Sequence, residues 1–255
     1  MNEPGNEAGR LKDKTALVTG ASSGLGRATA FELARAGTDV ALVARSAEEL
    51  ESAKEEVLKT GRRALSLPTD LAQEEETSAT IERTVEEFGR VDVLVNAAGT
   101  DAPGTVEELP VEGWDRTLAV NLRAPFVLSK AAFPHMREAG GGTIVNVSSV
   151  AGKKGWANAS AYCASKFGLT GFTQALADEG KEHNIRAIVL YPGAMSTNWG
   201  AFSPEERQQS ESNEAPATQV LRPEQVASFI SWFAASPPEF VLTEGIVLPI
   251  EEGLP

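Results

Sequence analysis

The chain is expected to fold as a single doubly wound α/β domain around a seven-stranded parallel sheet, and three observations point there. Short apolar, β-branched runs alternate with longer amphipathic segments along the sequence. The runs are nearly continuous in apolar residues, as in strands covered on both faces. The first run leads straight into a glycine-rich turn followed by helical spacing.

The expected strands are residues 15–19, 39–44, 64–67, 91–95, 142–147, 185–190 and 245–250. Right-handed crossovers between them give the doubly wound arrangement. Helical spacing covers 27–36 after the first strand. Ser46 reads as an N-cap with Glu49 as its capping acid, and Gly61 after Lys59-Thr60 as a stop. Two longer helices lie around 121–137 and 161–182, and Pro223 opens another. The polar stretch 197–222, rich in Ser, Glu and Gln, reads as a lid or binding loop, and residues 1–10 as a loose tail.

At 255 residues one such domain accounts for the chain, and 42% hydrophobic with 23% charged residues excludes the disordered, collagen-like and membrane classes. The 36 acidic against 23 basic residues give a formal charge of -13, a field that repels nucleic acid and anionic membrane. Neither is an expected partner. Acids such as Glu48, Glu51 and Glu55 lie on solvated helix faces. The single cysteine, Cys163, rules out an intramolecular disulfide and fits a reducing compartment, the cytoplasm. His135 and His183 lack metal-ligand spacing, so no metal is expected.

The turn Gly20-Ala21-Ser22-Ser23-Gly24-Leu25-Gly26 lies between strand and helix. Glycines let backbone approach a pyrophosphate, and the helix start supplies free N–H groups and partial positive charge. Its Gly-x3-Gly-x-Gly spacing differs from the general dinucleotide fingerprint. Further on come Asn96-Ala97-Ala98-Gly99, Asn121, Ser148-Ser149, Tyr162-Cys163-Ala164-Ser165-Lys166 and Pro192-Gly193, with Ser149 and Tyr162 13 positions apart.

In order and spacing, over roughly residues 12–197, these motifs resemble the short-chain dehydrogenase/reductase (SDR) family. The resemblance implies a Rossmann-type oxidoreductase that exchanges a hydride between a nicotinamide cofactor and a carbonyl or alcohol, with Asn121, Ser149, Tyr162 and Lys166 as the catalytic group. The residue types suit that chemistry. A tyrosine with a pKa of ~10 needs its anion stabilised to act reversibly at neutral pH. Lys166, four residues on, shares its helix face and can lower that pKa. Ser149 donates a hydrogen bond to the substrate oxygen. By resemblance, Asn121 organises a water connecting Lys166 to solvent.

The second strand ends Ala44-Arg45, without the acid that would bind a ribose 2′-hydroxyl. Arg45 can instead pair with a 2′-phosphate, so NADP(H) is preferred. Ser23 replaces a second basic residue found in some NADP-dependent relatives, which leaves NAD(H) possible. By the same resemblance, Gly20, Ser22, Ser23, Gly24, Leu25 and Gly26 hold the pyrophosphate. Asp70 and Leu71 contact adenine, and Asn96, Ala97, Ala98 and Gly99 line the adenosine side. Tyr162 and Lys166 also touch the cofactor, and Pro192, Gly193, Met195 and Thr197 flank the nicotinamide.

Substrate contacts are expected from Ser149, Ala151, Trp156, Tyr162, Ala194, Trp199 and Phe202, a mainly apolar set suited to a hydrophobic or aromatic ketone or alcohol. Each aromatic serves equally well as core filling. Lys153 and Lys154 read as a solvated pair rather than an anchor for an acidic substrate, and Cys163 as a small, partly buried helix residue. The C-terminal segment, with Pro237-Pro238 ahead of residues 244–250, departs from the Asp-Gly-Gly ending common in the family. The resemblance further implies a homo-oligomer, a dimer or homotetramer, formed through the two long helices. A non-catalytic NADP(H)-binding sensor or scaffold of the same fold is the alternative; degraded catalytic residues would mark it, and none is seen.

Overall fold

The computed structural model describes residues 11–197 and 219–253. β1 (Thr15–Thr19), α1 (Gly24–Arg35), β2 (Asp39–Ala44), α2 (Ala47–Leu58), β3 (Ala64–Pro68), α3 (Glu74–Phe88) and β4 (Val93–Asn96) form the first half. Then come α4 (Val111–Leu118), a π-helical turn (Ala119–Arg123), α5 (Ala124–Glu138) and β5 (Gly142–Val147). A 3-10 turn (Val150–Gly152), α6 (Ser160–Gly180), β6 (Ile185–Pro192), α7 (Pro223–Ala235) and β7 (Glu244–Val247) complete the chain.

All pairings are parallel, in the order β3-β2-β1-β4-β5-β6-β7. Strand order reverses between β1 and β4, so the crevice at their carboxyl ends is where this architecture takes ligands.

Side chains alternate across the pleat into two apolar layers. Ala16 and Val18 of β1 join Leu33, Leu50, Ile230 and Phe233 on the face covered by α1, α2 and α7. Leu17 joins Ile81, Leu128, Met136 and Leu176 on the face covered by α3, α5 and α6. A buried cation ties the far edge together. The Arg186 guanidinium donates to Ser236 Oγ at 2.7 Å, to the carbonyls of Pro237 and Phe240 at 2.9 and 3.0 Å, and to Thr143 Oγ1 at 2.9 Å.

Several boundaries differ from those expected of the sequence. Ser46 caps α2 as expected, its Oγ accepting from the Glu49 amide at 3.3 Å, and the Gly61 amide closes the end on the Leu58 carbonyl at 3.0 Å. α1 starts three residues earlier than expected, at Gly24, and β4 two later, at Val93. β3 and β6 run on to Pro68 and Pro192. β7 occupies Glu244–Val247 instead of 245–250, because Pro249 has no N–H for the ladder and the chain turns there, with the Glu252 amide donating to the Pro249 carbonyl at 3.0 Å. Asn121 lies in the π-helical turn rather than in regular helix.

Candidate active site

The glycine turn is shaped by contact as much as by conformation. Gly20 has φ +68, and a Cβ there would lie 3.0 Å from Cα and N of Ala98. A Cβ on Gly26 would lie 2.3 Å from the Gly20 carbonyl oxygen. Thr19 locks this turn to the end of β4: its Oγ1 accepts from the Ala97 and Ala98 amides, both at 3.0 Å, and donates to the Val95 carbonyl at 3.4 Å. Leu25 is buried, Ser22 half-buried and Ser23 exposed at the start of α1. Thr197 crosses above, 3.4 Å from where a Gly24 Cβ would stand.

At the ends of β2 and β3, Ala44 is buried and Arg45 exposed, with no ion pair among the described residues. Asp70 accepts from Arg116 on α4 at 3.2 Å and from the Ala72 amide at 3.1 Å. Burial pushes its carboxyl up, but the Ala72 amide, the Arg116 guanidinium and the charge of Arg45 together hold it below the usual carboxylate range. Leu71 is buried beside it.

Between β4 and β5, Asn96 Nδ2 donates to Asn146 Oδ1 at 2.7 Å, and Asn146 Nδ2 donates to Thr173 Oγ1 at 2.9 Å. Asn96 Oδ1 stays buried without a hydrogen-bond partner among the described residues. That leftover acceptor, the cramped Gly20–Gly26 cradle and the unpaired Arg45 fit a dinucleotide along the switch crevice.

Tyr162 and Lys166 stand one turn apart on α6, both buried. The Lys166 ammonium donates to the Val147 carbonyl at 2.8 Å and lies 5.6 Å from the Tyr162 ring centre. Burial pushes Lys166 down to about 8. Burial pushes Tyr162 up to about 12, against a lowering hydrogen bond from Ser149, with the charge of Asp101 raising it further. The expected lowering of the tyrosine by Lys166 is not seen: burial sets the direction, and the opposing influence comes from Ser149. Ser149 Oγ also accepts from the Ala151 amide at 3.2 Å. Tyr162 is thus a protonated donor at neutral pH, beside an ammonium and an anchored hydroxyl.

Asn121 reaches this group through the chain rather than directly. Its Oδ1 accepts from the Thr100 amide, its Nδ2 donates to the Thr100 carbonyl, both at 2.8 Å, and Nδ2 donates again to Ser165 Oγ at 3.0 Å. Both side-chain donors are engaged, so a water there could take only a lone pair of Oδ1. Gly99 is exposed, and Ala97 and Ala98 half-buried, along the same crevice.

Pro192 ends β6 buried, and the exposed Ala194 donates its amide to Glu252 Oε2 at 2.8 Å. Met195 is half-buried against the core and pairs with Leu221. Ala151, expected to touch substrate, is instead fully buried against Ala159, Tyr162 and Cys163, since the 3-10 turn folds it inward. Trp156 is 48% exposed, which leaves it free to meet a ligand. Trp199 and Phe202 lie outside the described residues. Lys153 bonds Glu244 and sits 4.4 Å above the Tyr191 ring, so it is paired rather than simply solvated.

Sequence reasoning missed Arg116, Asn146, Asp101 and Glu252 as site residues. Thr19 carried a signal, a hydroxyl at the point where β1 passes into the glycine turn; the four missed residues depend on which loops meet.

Comparison with known proteins places this architecture. The short chain dehydrogenase family model matches residues 14–208, and the chain belongs to that family, whose members are oxidoreductases. It is 36% identical to the cis-4-hydroxycyclohexanecarboxylate dehydrogenase of Sinomonas cyclohexanicum, over 94% of this chain and 96% of that one. It is 34% identical to the cyclohexanol dehydrogenase of an Acinetobacter strain, over 91% of this chain and 92% of the relative. Among solved structures, a metagenomic short-chain oxidoreductase in complex with NADP superposes with a TM-score of 0.81 at 32% identity, covering 94% of this chain and 98% of its own.

Proposed function

We propose that the protein is an NADP(H)-dependent carbonyl reductase or alcohol dehydrogenase, interconverting a ketone or aldehyde and the corresponding alcohol, with Tyr162 as general acid/base. The observation that carries this is the buried, protonated Tyr162 hydrogen-bonded to Ser149 beside Lys166, at the carboxyl end of the sheet. The NADP bound by the metagenomic relative and the alcohol substrates named for the two dehydrogenases support it.

The cofactor supplies or accepts the hydride. Gly20, Ser22, Ser23, Gly24, Leu25 and Gly26 would hold its pyrophosphate, Arg45 its 2′-phosphate, and Asp70, Leu71 and Asn96 to Gly99 its adenosine. Pro192, Gly193, Met195 and Thr197 would flank the nicotinamide. NAD(H) remains a usable second cofactor, since Ser23 adds no charge for the phosphate.

In reduction, Tyr162 gives its proton to the substrate oxygen. The Ser149 hydroxyl oxygen is held by the Ala151 amide, and its proton, bonded to Tyr162 without substrate, would turn to share the charge on that oxygen. Lys166, still largely an ammonium at neutral pH, then faces the phenolate that forms. Asn121 holds Thr100, and with it the chain beside the site, in place. In oxidation the steps reverse.

Assembly as a dimer or homotetramer in the cytoplasm, through the α5 and α6 faces, belongs to the same proposal; an edge-on pair, the exposed Phe126 and the half-buried Phe172 at 5.8 Å, lies there. No helix of the described residues is long and apolar enough to cross a membrane.

The test is NADPH consumption against a ketone panel, for wild type and Tyr162→Phe. A loss of at least about a hundredfold in the variant, with NADPH affinity kept, is the expected result. Equal, negligible rates for both proteins across the panel would favour the non-catalytic sensor.

A further inference from the structure

The 3-10 turn at Val150–Gly152 carries Ser149 at its start, and a single turn of this kind has little stability of its own. Ser149 Oγ accepts from the Ala151 amide at 3.2 Å, and the Ser149 carbonyl accepts from the Gly152 amide at 2.8 Å. Ala151, in the middle of the turn, packs against Tyr162. Beyond the turn, residues 153–158 are all exposed. Whatever fixes the turn must therefore act on its last residues from the elements beneath them.

Gly152 seats the turn on α6: a Cβ there would lie 2.5 Å from Ser148 Oγ, 3.0 Å from the Lys166 carbonyl oxygen and 3.1 Å from Thr170 Oγ1. Lys153 caps the turn, its amide donating to the Val150 carbonyl at 3.0 Å. Its ammonium bonds Glu244, at the start of β7, and lies 4.4 Å from the Tyr191 ring centre. Glu244 raises the Lys153 pKa and Lys153 holds the Glu244 carboxyl below the usual range, so the pair is ionised at neutral pH. The other Glu244 oxygen accepts from Gln174 Nε2 of α6 at 2.8 Å. Tyr191 is wholly buried, and its hydroxyl donates to Thr170 Oγ1 at 3.2 Å. Thr170 Oγ1 and Ser148 Oγ both donate to the Lys166 carbonyl, at 3.0 and 3.3 Å. The ring beneath Lys153 is thus bonded to the same turn of α6 that carries Lys166.

We propose that Lys153 is a positioning residue that acts through Ser149: its grip on Glu244 and Tyr191 anchors the far end of the turn and keeps the Ser149 hydroxyl in register with Tyr162 and Lys166. The proposal rests on the oxidoreductase reading above and deepens it. An exposed ion pair alone contributes little, but this one is combined with a cation over an immobile aromatic face. The rate is also more sensitive than the fold to a small misplacement of the hydroxyl, because catalysis depends on its alignment with the reacting oxygen.

The test is reduction of cyclohexanone, or of the fastest ketone of the panel if that is another, with NADPH. Wild type, Lys153→Met, Lys153→Arg, Glu244→Gln, Ser149→Ala and the double variant of Ser149→Ala with Lys153→Met are compared. Enzyme is used at micromolar concentration, so that the slow Ser149→Ala rates are read above the NADPH blank. Rates are expressed per NADPH-binding site, which removes misfolded protein from the comparison. Lys153→Met should lower kcat by about three- to tenfold with the Kd for NADPH unchanged, and Glu244→Gln should lower it in the same direction. Lys153→Arg keeps the charge and the reach to ring and carboxylate, and should stay within about twofold of wild type. On the Ser149→Ala background, Lys153→Met should cost less than about twofold more, because the hydroxyl that it positions is gone. An unchanged kcat in Lys153→Met, an arginine variant as slow as the methionine one, or the same loss on both backgrounds would each overturn the proposal and leave the oxidoreductase reading standing. Wild type that binds NADPH yet reduces no ketone of the panel would overturn both.

Discussion

Replacing Lys166 with methionine should make the protein more stable near pH 7 while removing its activity, and the size of the gain follows from burial. The Lys166 ammonium is 4% exposed and has no carboxylate partner among the described residues, only the Val147 carbonyl at 2.8 Å. Its pKa falls from 10.5 to about 8, so at ~1.36 kcal/mol per unit the folded state loses about 3 kcal/mol by keeping the group charged at neutral pH. Lys166→Met removes that penalty and orphans the Val147 carbonyl, which costs about 1–2 kcal/mol, leaving a net gain of about 1–2 kcal/mol. The pH dependence is the sharper readout. Between about 8 and 10.5 the unfolded chain holds the proton that the folded chain has released, so wild-type stability from this group climbs with pH. Below about 8 both forms are protonated and the penalty is fully present. Urea unfolding at about pH 7 and pH 10 should therefore show the variant's advantage shrinking by roughly 2 kcal/mol, with other titrations cancelling in the difference. A difference that stays constant over that range would refute the placement of a charged lysine in a dry site.

Four further outcomes test other parts of the molecule. Gly26→Ala drives a methyl onto the Gly20 carbonyl at 2.3 Å, so it should cost about 1–3 kcal/mol in thermal unfolding and weaken NADPH binding measured by fluorescence. Arg45→Ala should raise the Kd for NADPH by about tenfold or more and leave that for NADH nearly unchanged; equal effects on both would sink the 2′-phosphate assignment. Arg186→Met removes the shared donor of several carbonyls and the Ser236 hydroxyl at the end of α7 and of the Thr143 hydroxyl on β5, and the melting curve should report a loss of at least about 3 kcal/mol. Thr19→Val leaves the Ala97 and Ala98 amides without their acceptor, a loss of about 2 kcal/mol that denaturant titration would register.

The strands and the catalytic group were legible because their signals are local. Runs such as Val40 to Ala44 are apolar throughout because helices cover both faces, and Tyr162 and Lys166 share a face by helix geometry alone. Edges blurred where proline intervened, as at Pro249, which ended β7 early. The positions that escaped are set by long-range meetings. Arg116 reaches Asp70 from a helix 46 positions away, and Glu252 reaches Ala194 across 58. Ala151 read as cleft lining because a small residue after Ser149 carries no sign of the 3-10 turn that folds it inward. The electrostatics were partly misjudged for a related reason: spacing revealed that Lys166 is near Tyr162, but not that both are dry enough for desolvation to set the direction of each shift.

The joining of β1 to β4 bears on how the protein acquires its function in time. Thr15 and Asp92 bond across 77 positions, and Thr19 meets Ala97 across 78, so this seam closes only after α1, β2, α2, β3 and α3 have been threaded between. Local helices form quickly, whereas distant parallel strands must first meet the entropy of closing a long loop. The crevice at this seam is consequently among the last parts of the molecule to exist during refolding. A chain that has regained its helical signal should still fail to quench with NADPH, and ligand-binding competence becomes a clock for the completed sheet.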